Sequence, residues 1–221
     1  WTRNPRLQSA VDERIVRSFL PFDLFTGRVD ADHPCYPMLL KSGATEGQLA
    51  WLRAHPTPVD VLGINLYPWC GGRWVWWSRR RLGKLNGGHL ADLLRYAWNR
   101  YRLPLMITET SARSDVDGRA RWMDDTIASV AAVRAEGIPV VGYTWFPMMT
   151  MVDWKYRLAS GTVQKYLLHL GLWDSAYDAS GVLQRHPTPL VDRYRHYVGQ
   201  GAPARRLDTD VSGGTFTPAA A

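Results

Sequence analysis

Three short segments constrain this chain more than anything else in it: residues 59–67, 105–109 and 138–145. Each is apolar and β-branched through its first part and turns polar or aromatic only at its C-terminal end. Strands without polar alternation are covered on both faces, which is the habit of a parallel sheet flanked by helices. Helical periodicity falls between them. Residues 89–102 carry Leu90, Leu93, Leu94, Ala97 and Trp98 at helical spacing, and 119–136 reads as a long helix with Gly137 just past its end. A last helix is expected over 189–198. The order strand, helix, strand, helix, strand, helix is that of parallel βα units.

That order does not separate a doubly wound sheet from a (β/α)8 barrel, and no Gly-x-Gly-x-x-Gly turn follows any of the strands, which weakens a dinucleotide site. In a barrel, polar residues at strand C-termini form the active-site rim. Asn65 with Tyr67, Glu109, and Trp145 occupy that position on three successive strands. A full barrel takes about 250 residues, and only three strand–helix units are legible in 221 residues. The fold class expected is therefore α/β, the C-terminal portion of a TIM barrel, over residues 1–198. Residues 199–221, rich in Gly, Ala, Pro and Thr, read as a disordered tail.

Upstream of the first strand, residues 9–20 read as a helix stopped at Leu20-Pro21. The chain is expected to be irregular to Pro37, and 45–54 to be helical with Thr45 and Gln48 as its capping pair. No apolar run reaches the eighteen residues a membrane span needs. The first residue is Trp1, with no charged-then-apolar leader after it, so a processed or truncated, cytoplasmic chain is expected. The formal net charge of +7 is spread along the sequence, with Arg79-Arg80-Arg81 the one tight basic run, and reads as a solvated face; no nucleic-acid or membrane partner is expected. Two cysteines, Cys35 and Cys70, lack the spacing of a metal site, and free thiols are the default, with a disulfide left open. No metal or cofactor is expected. The 11 tryptophans are a stronger signal, because indole faces serve both in cores and as platforms for sugar rings.

Several segments, taken in order, resemble glycoside hydrolase family 1, the β-glucosidase and 6-phospho-β-glucosidase family. Phe22-Asp-Leu-Phe-Thr-Gly27 with His33-Pro34 is similar to the family's D-P-L-x-x-G-x-Y-P. Asp60-Val-Leu-Gly-Ile-Asn-Leu-Tyr67 resembles the sixth strand, D-F-L-G-I-N-Y-Y, and Leu105-Met-Ile-Thr-Glu-Thr110 the seventh, P-I-Y-I-T-E-N-G. Gly142-Tyr-Thr-Trp145 resembles the eighth, G-Y-x-x-W-S, and Leu170-Gly-Leu-Trp-Asp174 the later R-F-G-L-V-Y-V-D. The resemblance covers roughly residues 20–175 and implies about strands 6–8 of the barrel.

It implies retaining hydrolysis of β-glycosidic bonds, with Glu109 as the carboxylate nucleophile. Tyr67 falls on the tyrosine that hydrogen-bonds the nucleophile, Asn65 on the asparagine beside it, and Trp145 on the tryptophan under the glycone. Asp153-Trp154 falls near the Glu-Trp pair that grips the sugar hydroxyls. The substrate implied is a β-glycoside or oligosaccharide. Such chemistry needs an ionised nucleophile, held and oriented by a donor, opposite an acid/base carboxyl about 5–5.5 Å away. The family's acid/base is the Glu of an Asn-Glu-Pro motif, which this chain lacks. Its four glutamates are Glu13, Glu46, Glu109 and Glu136, and all but Glu109 read as helix residues. The chain is thus expected to carry the nucleophile half of the site and to be inefficient alone. The competing expectation is a non-catalytic carbohydrate-binding remnant. The partners it leaves open are the missing half-barrel and a second copy of the chain.

Overall fold

The three predicted strands lie side by side. A computed structural model describes residues 8–70 and 85–200. Strands β1 (Leu62–Asn65), β2 (Leu105–Thr110) and β3 (Val140–Trp145) form one sheet in the order β1-β2-β3. β2 and β3 are parallel, with Leu105 opposite Val140 and Thr110 opposite Trp145. Bonds from Leu62 N–H to the Pro104 carbonyl and from Leu66 N–H to the Glu109 carbonyl ascend both chains together, so β1 runs the same way. No closed sheet forms among the described residues. Arg79-Arg80-Arg81 and residues 201–221 of the expected tail lie outside them.

The described chain divides into two compact units. One is the chain up to Leu62 with Tyr101–Pro104; the other is Gly63–Arg100 and the chain from Leu105 onward. The second unit holds most of α4 (Gly87–Tyr101) and all of α5 (Val116–Ala135), and α5 meets the sheet through Trp122 on Thr110 and Thr126 on Tyr143. Leu90, Leu94 and Ala97 are fully buried at one-turn spacing, together with Leu105, Ile107, Met123 and Val133. Gly137 ends α5 with φ +84, a left-handed conformation that glycine adopts without cost. No helix among the described residues is long and apolar enough to cross a membrane.

After β3 come strands that the sequence did not announce. A short antiparallel pair, β4 (Met151–Val152) with β5 (Leu167–Leu168), is followed by a hairpin of β6 (Trp173–Tyr177) and β7 (Leu183–Pro187). The hairpin turn is organised by the Asp178 carboxylate, which accepts from Ser180 and Val182 N–H, the Ser180 hydroxyl and Gln184. These donors hold that carboxyl well below the usual range. At its base, Arg119 of α5 is 1% exposed and grips Asp174 with two bonds of 2.7 Å, while donating to the Gly171 carbonyl at 2.9 Å. Gly171 itself has no room for a side chain: a Cβ there would lie 2.5 Å from the Met148 carbonyl oxygen. The last helix, α6 (Leu190–Gln200), runs two residues past the expected end.

In the first unit, α1 (Gln8–Phe25) does not stop at Pro21 but carries it inside the helix. The missing proline N–H is offset by packing on either side of it. The rings of Phe19 and Phe22 lie 5.8 and 6.2 Å from that of Tyr101, and the Tyr101 hydroxyl donates to the buried Asp23 at 2.7 Å. Pro37 likewise does not break the chain but opens a helix, α2 (Tyr36–Lys41), in the first turn where no N–H is missed. The expected capping box of α3 (Glu46–Ala54) is present: Gln48 N–H donates to Thr45 Oγ1, and Thr45 N–H to Gln48 Oε1. Thr45→Ala should therefore lower stability by about 1 kcal/mol, read as a drop in the denaturation midpoint, with Thr45→Ser close to the parent. Both cysteines are free, Cys35 buried and Cys70 exposed.

Candidate active site

The burial pattern along β2 explains how Glu109 comes to face open space. Leu105, Ile107 and Thr110 are buried, whereas Thr108 and Glu109 in succession are not. A strict strand alternates sides, so one residue is skipped here. The register against β3 slips at the same place, between Ile107 and Thr110. The slip returns Thr110 to the helix-covered face and lets both Thr108 and Glu109 leave it.

Backbone and side-chain bonds then lock the tips of β1 and β2 together. Leu66 donates its N–H to the Glu109 carbonyl at 3.1 Å, and its own carbonyl accepts the Thr110 hydroxyl at 2.6 Å. The Trp122 indole N–H donates to that same hydroxyl oxygen at 2.8 Å. One residue beyond Leu66, the Tyr67 hydroxyl reaches the Glu109 carboxylate, donating to Oε2 at 2.7 Å. Burial, and next the Glu109 carboxylate, push the Tyr67 phenol well above its ordinary value. The phenol is thus a permanent donor, and a bond of this length fixes the orientation of the carboxylate.

The other expected site residues are distributed differently. Asn65 is exposed, and its side-chain oxygen accepts from the Thr108 hydroxyl at 2.6 Å, which ties it to β2 one residue before Glu109. Asp153 caps a 3-10 turn, Trp154–Leu158, accepting from Lys155 N–H at 3.0 Å and from the Arg113 guanidinium at 3.1 Å. The Lys155 bond, with the Arg113 charge behind it, holds the Asp153 carboxyl below its usual range. Trp154 is 69% exposed with the Arg157 guanidinium over its ring.

Trp145, which the resemblance sets under the glycone, is 5% exposed and donates its indole N–H to the Leu170 carbonyl at 2.9 Å. The exposed ring at this strand end is its neighbour Phe146, at 41%.

Two residues that sequence reasoning passed over complete the surroundings of Glu109. The indole of Trp69 stacks on the Tyr67 ring, with centroids 4.6 Å apart and planes at 15°. The Arg113 guanidinium lies 5.9 Å from the Trp69 ring centroid and pairs with Asp153. Their only sequence signal was distance: two residues after Tyr67 and four after Glu109. The remaining glutamates sit elsewhere, Glu13 on α1, Glu46 in the first turn of α3, and Glu136 at the end of α5 in a two-bond pair with Arg95.

A half-buried carboxylate on a strand tip, held by a phenol, is a competent nucleophile or a strong sugar-hydroxyl acceptor. No family model matches the chain, and no curated protein matches it. Solved structures do. The fold is similar to the family 1 β-glucosidase of Exiguobacterium antarcticum B7, at 18% identity and TM-score 0.64, over 90% of this chain and 48% of that one. It is similar to the AHE enzyme of Alicyclobacillus herbarius, at 21% identity, TM-score 0.64 and the same coverage. A third neighbour is the Thermotoga maritima β-glucosidase in complex with glucoimidazole, at 16% identity and TM-score 0.63, over 84% of this chain and 46% of that one. The chain spans about half the length of these structures. It shares the fold of part of a family 1-type (β/α)8 barrel.

Proposed function

We propose that the chain forms the nucleophile half of a retaining β-glycosidase site, with Glu109 attacking the anomeric carbon of a β-glycoside. The observation that carries this is the 2.7 Å bond from Tyr67 to Glu109 at adjoining tips of parallel strands. A nucleophile at this place must be aimed at the anomeric carbon, and the phenol holds its carboxylate in one orientation. As the glycosidic bond breaks, positive charge develops on the sugar ring, and the nearby carboxylate stabilises it before closing to a covalent glycosyl ester. A second carboxyl, supplied by strands outside this chain, would protonate the leaving oxygen and later activate water. Asn65, tied to Thr108 beside Glu109, is placed to meet a sugar hydroxyl.

The placement of Glu13, Glu46 and Glu136 on helices favours a second reading, in which the chain binds sugar without turnover. A mechanism-based label separates the two. Incubation with 2,4-dinitrophenyl 2-deoxy-2-fluoro-β-glucoside, whose leaving group departs without protonation, should add one fluoroglucosyl group to the peptide containing Glu109. Peptide mapping that finds the label on another residue, or no label at millimolar reagent, would rule out the nucleophile assignment.

A further inference from the structure

We infer that Trp69, Arg113 and Asp153 form a clamp that positions Tyr67 on Glu109, and that Asp153 serves this clamp instead of gripping the sugar. The functional part rests on the glycosidase reading above; the geometric part does not. The sequence makes the clamp possible through Pro68. That residue is buried, has no N–H to satisfy, and opens a 3-10 turn, Pro68–Cys70, in which Cys70 N–H donates to the Tyr67 carbonyl at 2.9 Å. The turn folds the chain back by two residues, and this lays the Trp69 indole against the Tyr67 ring. A tyrosine at a strand end has two soft torsions, and its hydroxyl sweeps several ångströms as they move. A stacked indole removes that freedom.

Trp69 is in turn held from the loop after β2, where the Arg113 guanidinium meets its ring. Arg113 is anchored by Asp153, and Asp153 is the best fixed member of the series. Its N–H donates to the Tyr166 carbonyl at 2.8 Å, its carboxylate caps the following turn at Lys155, and its side chain is only 19% exposed. Restraint therefore passes from a rigid turn through Asp153, Arg113 and Trp69 to Tyr67 and the nucleophile. The outer links are solvent-exposed and the inner one is a ring stack, so the effects should fall off outward. Each Asp153 oxygen already has a partner, Oδ1 the Lys155 N–H and Oδ2 the Arg113 guanidinium, which fixes the carboxylate's orientation toward the clamp.

Two measurements on the full chain test this. The first is inactivation by the fluoroglucoside, resolved into a binding constant and a covalent rate constant. Trp69→Leu should lower the rate constant on the order of tenfold, the effect of one lost positioning hydrogen bond, and leave binding unchanged. Trp69→Phe should restore most of the rate. Arg113→Met and Asp153→Asn should lower it less, about two- to threefold, again without weakening binding. A sugar-gripping Asp153 would instead weaken binding in Asp153→Asn and overturn its assignment to the clamp. The second measurement is the tyrosine 13Cζ spectrum, with the Tyr67 signal assigned by Tyr67→Phe. That signal should move toward a free phenol in Trp69→Leu and part-way in Arg113→Met. If the parent is never labelled but the signal moves, the glycosidase reading fails and the clamp stands. A Tyr67 signal unmoved in Trp69→Leu overturns the clamp, whatever the labelling shows.

Discussion

Glu109→Ala is expected to abolish release of dinitrophenolate from a 2,4-dinitrophenyl β-glucoside, by on the order of 10^4-fold or more, the usual cost of deleting an activated nucleophile. The leaving group is chosen because it needs no proton, so the measured rate reports the attack step that this chain's residues would perform. The fold should survive. The backbone bond from Leu66 to Glu109 and the Thr110 hydroxyl bond to Leu66 that hold the strand tips together do not involve the Glu109 side chain. An unchanged circular dichroism spectrum beside the lost rate would separate a chemical effect from a structural one. A variant that keeps within tenfold of the parent rate would show that another group performs the attack.

The largest effect on stability is expected at Asp174→Ala. Arg119 is buried at the junction of α5 and the hairpin, and two 2.7 Å bonds to Asp174 compensate its charge. Its Nε already has no partner, so nothing nearby can take over. Removing one member of a buried pair leaves the other charge uncompensated at a cost of about 3–5 kcal/mol. Asp174 keeps about a quarter of its side chain exposed, and water can reach the cavity, so the lower end of that range is expected. Even this is a large fraction of a typical domain's stability of about 5–15 kcal/mol. Chemical denaturation should show the midpoint falling sharply, and Arg119→Met combined with Asp174→Leu should recover much of the loss. A midpoint within 1 kcal/mol of the parent would mean that the pair is not desolvated.

The three strands and the helices between them were legible because they rest on local rules, whereas the Glu109–Tyr67 pairing came from the family resemblance. Buried parallel strands advertise themselves by unbroken apolar runs, α4 by its period and α5 by the glycine past its end. What escaped was decided by contacts distant in sequence or by local devices that leave no period. Pro21 reads as a stop, yet α1 continues because Phe19, Phe22 and Asp23 find Tyr101. The β6–β7 hairpin was missed because β7 is exposed at all five positions and so shows no alternation.

The candidate site divides the same way. Glu109 and Tyr67 follow from their places at strand ends. That Trp145 is buried while Phe146, just past the end of β3, is exposed carries no signal in the letters of the strand. Trp69 and Arg113 carry no motif; a turn and a loop bring them to Tyr67, and only coordinates show it. The slip in β2 that frees Glu109 is equally silent in the letters Ile-Thr-Glu-Thr.

Azide rescue of Glu109→Ala tests the nucleophile assignment most directly, because it reads the face of attack. With the carboxylate gone, azide can occupy its place and attack the anomeric carbon of 2,4-dinitrophenyl β-glucoside as dinitrophenolate departs with the bonding pair. Dinitrophenolate release should then rise with azide concentration, and the proton NMR spectrum of the product should be that of α-glucosyl azide. Release that does not respond to azide, or a product that is the β-azide, would contradict Glu109 as the nucleophile.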